Sequence, residues 1–348
     1  MVDWLAGKRI KGTSTERTTT AGIGTGVGGW VELGRTTLGS AGDTISVASL
    51  ANKRYYMVLM DTKHSVTAST ENLRFNNDIG TNYSRRKSYN GLAEEIVIND
   101  TTTNMGGWEN TPTFSVNYIS NYATKEKLNI FHVVYQGTAG AGETPHRIEG
   151  TAKWTNISDA INRIDAINTA GGDLLSGSEL VVLGWNPADT HSTNFWTELA
   201  SVDWSSGGTI DSGTFTAKKY LWVQGWWKGN DSVYIRANND IDPNYSWRYS
   251  SNGVKPDGVQ TSRTGFTHNF GFTTTIHFIN MFIINNSANE KLVILHANNQ
   301  GTAGAGFAPN RSEAVCKWAN TSSQITSLKF MTGSGNFTGG TIKVWGSD

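Results

Sequence analysis

Gln136-Gly-Thr-Ala-Gly-Ala-Gly142 recurs letter for letter as Gln300-Gly-Thr-Ala-Gly-Ala-Gly306, 164 residues further on. The same offset carries Arg147, Glu149, Lys153, Trp154 and Asn156 onto Arg311, Glu313, Lys317, Trp318 and Asn320. A nearby offset pairs Asn76-Asn-Asp-Ile79 and Asn82-Tyr-Ser84 with Asn238-Asn-Asp-Ile241 and Asn244-Tyr-Ser246. Upstream, Trp30-Val-Glu-Leu33 answers Trp196-Thr-Glu-Leu199, and Ala51-Asn-Lys-Arg-Tyr55 answers Thr216-Ala-Lys-Lys-Tyr220. Matches in one order over so long a period mean a duplicated domain rather than a solenoid unit. Copy one spans 30–185, copy two spans 196–348, and 186–195 reads as the linker. Residues 1–29 have no counterpart and read as an extended N-terminal arm. Its Trp4, Lys8, Arg9 and Lys11 are candidate assembly contacts with a neighbouring subunit.

Composition sets the fold class. Thr, Ser, Asn and Gly account for 42, 30, 32 and 39 of the 348 residues, and charged residues for 17%. Thr and aromatics favour strands, while Gly, Asn and Ser favour turns, so two all-β domains with many loops are expected. Trp, Tyr and Phe number 13, 11 and 13, enough for two cores. Lys+Arg and Asp+Glu are both 29. A neutral chain has no bulk attraction for nucleic acid or anionic lipid, so no nucleic-acid partner and no membrane insertion are expected. No run approaches the ~18 apolar residues of a membrane span, and Met1 to Lys11 lacks the apolar core of a signal peptide.

Short apolar runs mark strands in both copies: Tyr55–Met60 and Tyr220–Gln224, Leu128–Tyr135 and Lys291–His296, Glu179–Leu183 and Thr341–Trp345. The spacing of Ile161, Ile164 and Ile167 fits a helical turn, but the aligned Ile325–Phe330 looks extended, and the repeat favours a strand. Side chains alternate along a strand. Arg147, Glu149 and Lys153 therefore share one face, with Ile148, Ala152 and Trp154 on the other. Arg311, Glu313 and Lys317 divide in the same way from Ala314, Cys316 and Trp318, which makes Cys316 a buried structural thiol.

Signals of chemistry are sparse. Gly24-Thr-Gly-Val-Gly-Gly29 has neither the preceding strand nor the following helix of a dinucleotide fingerprint and reads as flexible linker. The histidines form no H-E-x-x-H; His132 and His296 lie in the apolar strand of each copy and read as unrelated packed or surface side chains. Glu94-Glu95 has the residue type for glycoside hydrolysis but no matching pair in copy two, and reads as solvated. No catalytic residue is assigned. Asp78, Asp240 and Asp242 lie in the repeated Asn-Asn-Asp loops, where hard oxygen ligands suit Ca²⁺ and where the same residues stabilise turns. Trp226, Trp227, Tyr245, Trp247 and Tyr249 form an aromatic-rich region of copy two, a candidate surface for stacking on glycans or partners.

Three stretches carry a resemblance: Phe215-Thr-Ala-Lys-Lys-Tyr-Leu-Trp-Val-Gln224, Val233-Tyr-Ile-Arg-Ala-Asn-Asn-Asp-Ile-Asp-Pro-Asn-Tyr-Ser246 and Gly339-Gly-Thr-Ile-Lys-Val-Trp-Gly346. Together they resemble a jelly-roll-like β-sandwich module of tailed-virus structural proteins, from phages or archaeal viruses. Copy one matches through Leu73-Arg-Phe-Asn-Asn-Asp-Ile-Gly-Thr-Asn-Tyr83, and its closing Gly177-Ser-Glu-Leu-Val-Val-Leu-Gly184 departs in having Leu183 for the aromatic. The resemblance implies a non-enzymatic virion protein on the particle exterior, a capsid decoration or a fibre or tail-attached subunit. It implies synthesis in the host cytoplasm, and other virion proteins and copies of itself as partners. The alternative it leaves is a lectin-like module of a tail fibre that binds host-surface glycan.

Overall fold

The computed structural model describes residues 3–5, 9–11, 29–67, 70–106, 110–187, 189, 194–229, 233–267 and 275–348. Among them every regular element is a strand. Strands β1 (Asp3–Leu5) and β2 (Arg9–Lys11) pair with each other, so this part of the arm doubles back. Of the arm's candidate assembly residues, Trp4, Arg9 and Lys11 fall on these strands. Lys8 and Gly24 to Gly28 lie outside the described residues.

Copy one runs through β3 (Val31–Thr37), β4 (Thr44–Ala48), β5 (Tyr55–Thr62), β6 (Glu71–Phe75), β7 (Tyr83–Tyr89), β8 (Glu95–Asp100), β9 (Thr113–Ser120), β10 (Lys127–Tyr135), β11 (His146–Trp154), β12 (Arg163–Asn168) and β13 (Glu179–Trp185). Copy two follows with β14 (Thr197–Trp204), β15 (Thr209–Asp211), β16 (Tyr220–Lys228), β17 (Val233–Ala237), β18 (Tyr245–Ser251), β19 (Gly258–Arg263), β20 (Phe266–Thr267), β21 (Ile276–Ile284), β22 (Lys291–Asn299), β23 (Asn310–Trp318), β24 (Leu328–Thr332) and β25 (Gly339–Ser347).

Each copy is a two-sheet antiparallel sandwich. The large sheets have the orders β3-β13-β5-β9-β10-β11-β7-β8 and β14-β25-β16-β21-β22-β23-β18-β19. The small ones are β4-β12-β6 and β15-β24-β17-β20. Ile161, Ile164 and Ile167 belong to or lead into β12, an extended strand, in agreement with the repeat. Left-handed backbone at Asn90-Gly91 (φ 50° and 69°) and Asn252-Gly253 (φ 52° and 73°) turns each chain after β7 and β18. Asn and Gly are the residues that tolerate this conformation.

The inner faces make the two domain cores. Tyr56, Val58, Met60, Phe131, Val133 and Trp154 lie in the first, and Val223, Trp227, Met281, Leu295, Cys316 and Trp318 in the second. The outer faces are wet only in part. Met57, Leu59, Phe114, Val116, Val181 and Leu183 of copy one join Tyr220, Phe282, Ile284, Leu292, Ile294 and Trp345 of copy two in a third buried cluster. The two large sheets are thus stacked back to back. This explains why β5 and β13 read as continuous apolar runs rather than alternating ones: both their faces are covered.

The end of the linker is part of this layer. Phe195 and Trp196 are buried in it, and Trp196 packs on Trp222 and Phe282 at ring-centroid distances of 5.7 and 6.1 Å. A polar rim closes it: Glu179 of copy one accepts from Tyr220 Oη at 2.7 Å and Lys219 Nζ at 3.0 Å, and Asn286 donates to Asp61 at 2.8 Å. Replacing Trp196 by Ala leaves a cavity in the layer, at a cost of about 3–5 kcal/mol. Calorimetry is expected to show one transition for the native chain and two separated transitions for W196A. A single unshifted transition in the variant contradicts the stacked arrangement.

Candidate functional site

The copy-one heptapeptide lies at the domain junction. In copy one, Gly137 and Gly140 adopt φ of 62° and 90°, and their counterparts Gly301 and Gly304 adopt 62° and 101°. These left-handed positions account for two of the three glycines each copy keeps. The copy-one loop is clasped by copy two: Lys317 Nζ donates to the carbonyls of Gln136 (3.2 Å) and Thr138, Glu290 accepts from the Gly140 amide, and Ser262 N donates to Ala141 O at 2.8 Å.

Beyond the clasp, charged and imidazole side chains meet at the middle of the interface. On β10, Phe131 and Val133 point into the core, so His132 points out; it lies opposite Glu149 of β11. On β22, Leu295 and Ala297 point in, so His296 points out, opposite Glu313 of β23. These registers make His132 and His296 equivalent residues, not unrelated ones. Their rings pack together with centroids 4.2 Å apart. Tyr118 and Phe282, which also hold matching places on β9 and β21, meet at 6.4 Å. The two copies therefore face each other about an approximate two-fold relation running through the histidines.

Arg147 organises the carboxylates. Its Nε and Nη2 donate to Asp257 of copy two at 2.9 and 2.7 Å, and its Nη1 lies 2.9 Å from Glu149 Oε1 and 3.6 Å from Glu313 Oε2. Asp257 is reached across the tight turn at Gly91, where a Cβ would come within 2.1 Å of its Oδ1. The equivalent Arg311 is largely exposed, paired with Glu313 at 3.2 Å, and beside it opens a cleft of about 340 Å³ whose lining includes Arg86, Lys255 and Ile130.

Burial sets the charge states. It pushes His132 down to about 3, with His296 and Arg147 adding to the shift, so the ring is neutral. Burial opposes the charge of Glu149, but His296 and Arg147 outweigh it and hold this carboxyl well below its usual range. Glu313 is pushed up by burial and by the neighbouring Glu149. Burial also disfavours charge on Arg147, yet Asp257 and Glu149 overcome this and keep the guanidinium charged. One donor atom from each of His132, Glu149 and His296 lies within 4.8 Å of the others.

The residues singled out in sequence fare differently. Trp227, Tyr245 and Trp247 are buried in the copy-two core and Tyr249 packs against it, so they offer no stacking surface; Trp226, at 44% exposure, is the member that reaches solvent. Alternation accounts for this, since Trp226 and Trp227 are neighbours on β16 and point to opposite faces.

Asp78 and Asp240 are not Ca²⁺ ligands in waiting. Asp78 accepts from Trp154 Nε1 (2.6 Å), Asn82 Nδ2 (2.9 Å) and Gly80 N (2.8 Å). Asp240 accepts from Trp318 Nε1 (2.6 Å), Asn244 Nδ2 (2.9 Å) and Asp242 N (2.9 Å). Donors that would repel a cation surround both carboxylates, while Asp242 is exposed and contributes its amide. Each Asp locks its loop to a core tryptophan. Glu94 and Glu95 form cross-strand ion pairs with Arg86 and with Arg85.

Sequence reasoning passes over the central cluster. Its signal is present: the outward face of β11 and of β23 carries Arg and Glu at repeated positions, beside strands whose outward residues are apolar.

No protein-family model and no curated protein matches the chain. Among solved structures, the mouse laminin alpha1 chain domains LG4-5 align over 89% of this chain and 92% of that one, with 8% identity and a TM-score of 0.19. The two C2 domains of extended synaptotagmin 2 align over 86% of this chain and 93% of that one, with 6% identity and a TM-score of 0.12. Likenesses at this level carry no functional argument.

Burial raises the carboxyls of Asp78 and Asp240, but the hydrogen bonds received from tryptophan and asparagine outweigh it and hold both below their usual value. Their stabilisation is therefore complete above the unfolded-chain value of about 3.9 and fades as pH falls through the lower folded-state value. D240A leaves the Trp318 N–H without its acceptor and should cost about 1–3 kcal/mol in urea unfolding at pH 7. The loss should shrink at pH 3 and be indifferent to added Ca²⁺. A neutral D240A, or a Ca²⁺-dependent midpoint, contradicts the loop-lock role.

Proposed function

We propose that the chain is a non-enzymatic structural protein of a virion exterior, a capsid decoration or a fibre or tail-attached subunit, whose partners are other virion proteins and copies of itself. The observation that carries this is an apolar patch at one free edge of the copy-one large sheet. Ile96 and Ile98 of the edge strand β8, with Leu128 and Ile130 of β10, are each more than half exposed. The β10 pair corresponds to Leu292 and Ile294 of copy two, which are buried against copy one. An exposed edge strand with apolar side chains is a template for association. The setting in a tailed-virus particle is supported by the resemblance of the paired loop and closing-strand motifs. A glycan-binding role has less support: of Trp226, Trp227, Tyr245, Trp247 and Tyr249, Trp226 alone is exposed, although Tyr234, Phe278 and Phe307 of copy two also reach solvent.

Mass spectrometry and immunogold labelling of purified particles are expected to find the native chain in fixed stoichiometry on the outside. The double variant I96K/I98K should unfold at the native midpoint and be lost from particles by at least tenfold. Absence of the native chain from particles, or normal incorporation of the variant, refutes the proposal.

A further inference from the structure

The centre of the interface has features that apolar docking alone does not require. Nδ1 of His132 and Nε2 of His296 are shut off from solvent and have no hydrogen-bond partner. The nearest group to His296 Nε2 is Glu149 Oε1, at 3.4 Å without hydrogen-bond geometry. Two buried imidazole nitrogens left unpaired at one place are costly. Carboxylates gather there: Asp257, Glu149 and Glu313 all lie around the guanidinium of Arg147, with Arg248 acting on Asp257 and the largely exposed Arg311 paired with Glu313. Asp257 takes two of the Arg147 donors, which leaves Glu149 and Glu313 crowded beside the two imidazole rings.

Neutral imidazole nitrogen with carboxylate oxygen is a donor set for borderline divalent ions of the first transition row, zinc above all. The spacing suits one ion, since the ligand atoms of His132, Glu149 and His296 already lie within 4.8 Å of one another and need close only to ligand distances of about 2.0–2.2 Å from a common centre. Side-chain rotation supplies that much movement. The cleft beside Arg311 reaches His132, Glu149 and Glu313, so an ion has an entry path.

We propose that His132, His296 and Glu149 bind one zinc-type divalent cation between the two domains, with the fourth position left to water. Ligands come from both copies, so the ion is a staple: it binds the docked chain and not the separated domains, and stabilises docking by linkage.

The test uses the full-length chain stripped with EDTA. Titration with ZnCl₂ by isothermal calorimetry should give one ion per chain, and CoCl₂ should develop the visible ligand-field bands of a low-symmetry nitrogen and oxygen site. H132Q and H296Q, which keep a polar side chain of similar size, should each weaken Zn²⁺ binding at least tenfold and abolish the Zn²⁺-dependent rise in melting temperature. E126Q, an exposed carboxylate elsewhere on copy one, should bind as the native chain does. Circular dichroism is recorded first; if H132Q does not fold, H296Q decides, because its ring is the less enclosed. Failure of the folded native chain to take up a stoichiometric ion, or uptake indifferent to the histidine changes, overturns the proposal.

Discussion

Burial of the outer faces of both large sheets against each other is the constraint on which the rest of this structure depends. An antiparallel sheet ordinarily keeps one face wet. Here each large sheet carries apolar residues on both sides: one side is covered by its own small sheet, the other in large part by the sister copy, with Leu128 and Ile130 of copy one left exposed. Neither copy can hide Phe114 or Phe282 by itself. The duplication is therefore a structural necessity in the folded chain, and the aromatic ends of the linker, Phe195 and Trp196, are built into the layer that joins the halves.

Within that layer the polar residues fix alignment more than they add strength. Apolar contact is non-directional, and two flat sheets can slide over one another. The bidentate Arg147–Asp257 pair, the Lys317 clasp on the Gln136–Gly142 loop and the His132–His296 contact each have one geometry. A buried ion pair contributes little net stability but strongly penalises a misaligned partner. The copies use their shared residues unequally. Arg147 is buried and paired across the interface, whereas Arg311 is exposed; the first Gly-rich loop is clasped, whereas residues 302–306 of the second are exposed. A near-symmetric pair has thus become a body with distinct sides, and the apolar patch on β8 and β10 belongs to one of them.

Much of the fold is legible in the sequence. The tandem β-sandwich follows from the repeat, and so does the strand at Arg163–Asn168, where copy two outweighs a local helical spacing. The site is less legible, for physical reasons. Alternation tells which side chains leave a core but not what then covers them: it puts Arg147 and Glu149 on the face away from Trp154, and only the structure shows a second domain over them. The aromatic cluster misleads in the opposite way: Trp227, Tyr245 and Trp247 are core fillers, since copy two packs its interior with rings. Asp78 and Asp240 have the residue type of a cation ligand, but only geometry reveals that a tryptophan N–H points at each.

Small-angle X-ray scattering of the chain in solution distinguishes the back-to-back arrangement from separated domains. A compact body of this length has a radius of gyration of about 20 Å. The account predicts a single-peaked distance distribution with a radius close to that value, apart from a tail contributed by the arm. A two-lobed distribution, with the domains separated on an open linker, would contradict it.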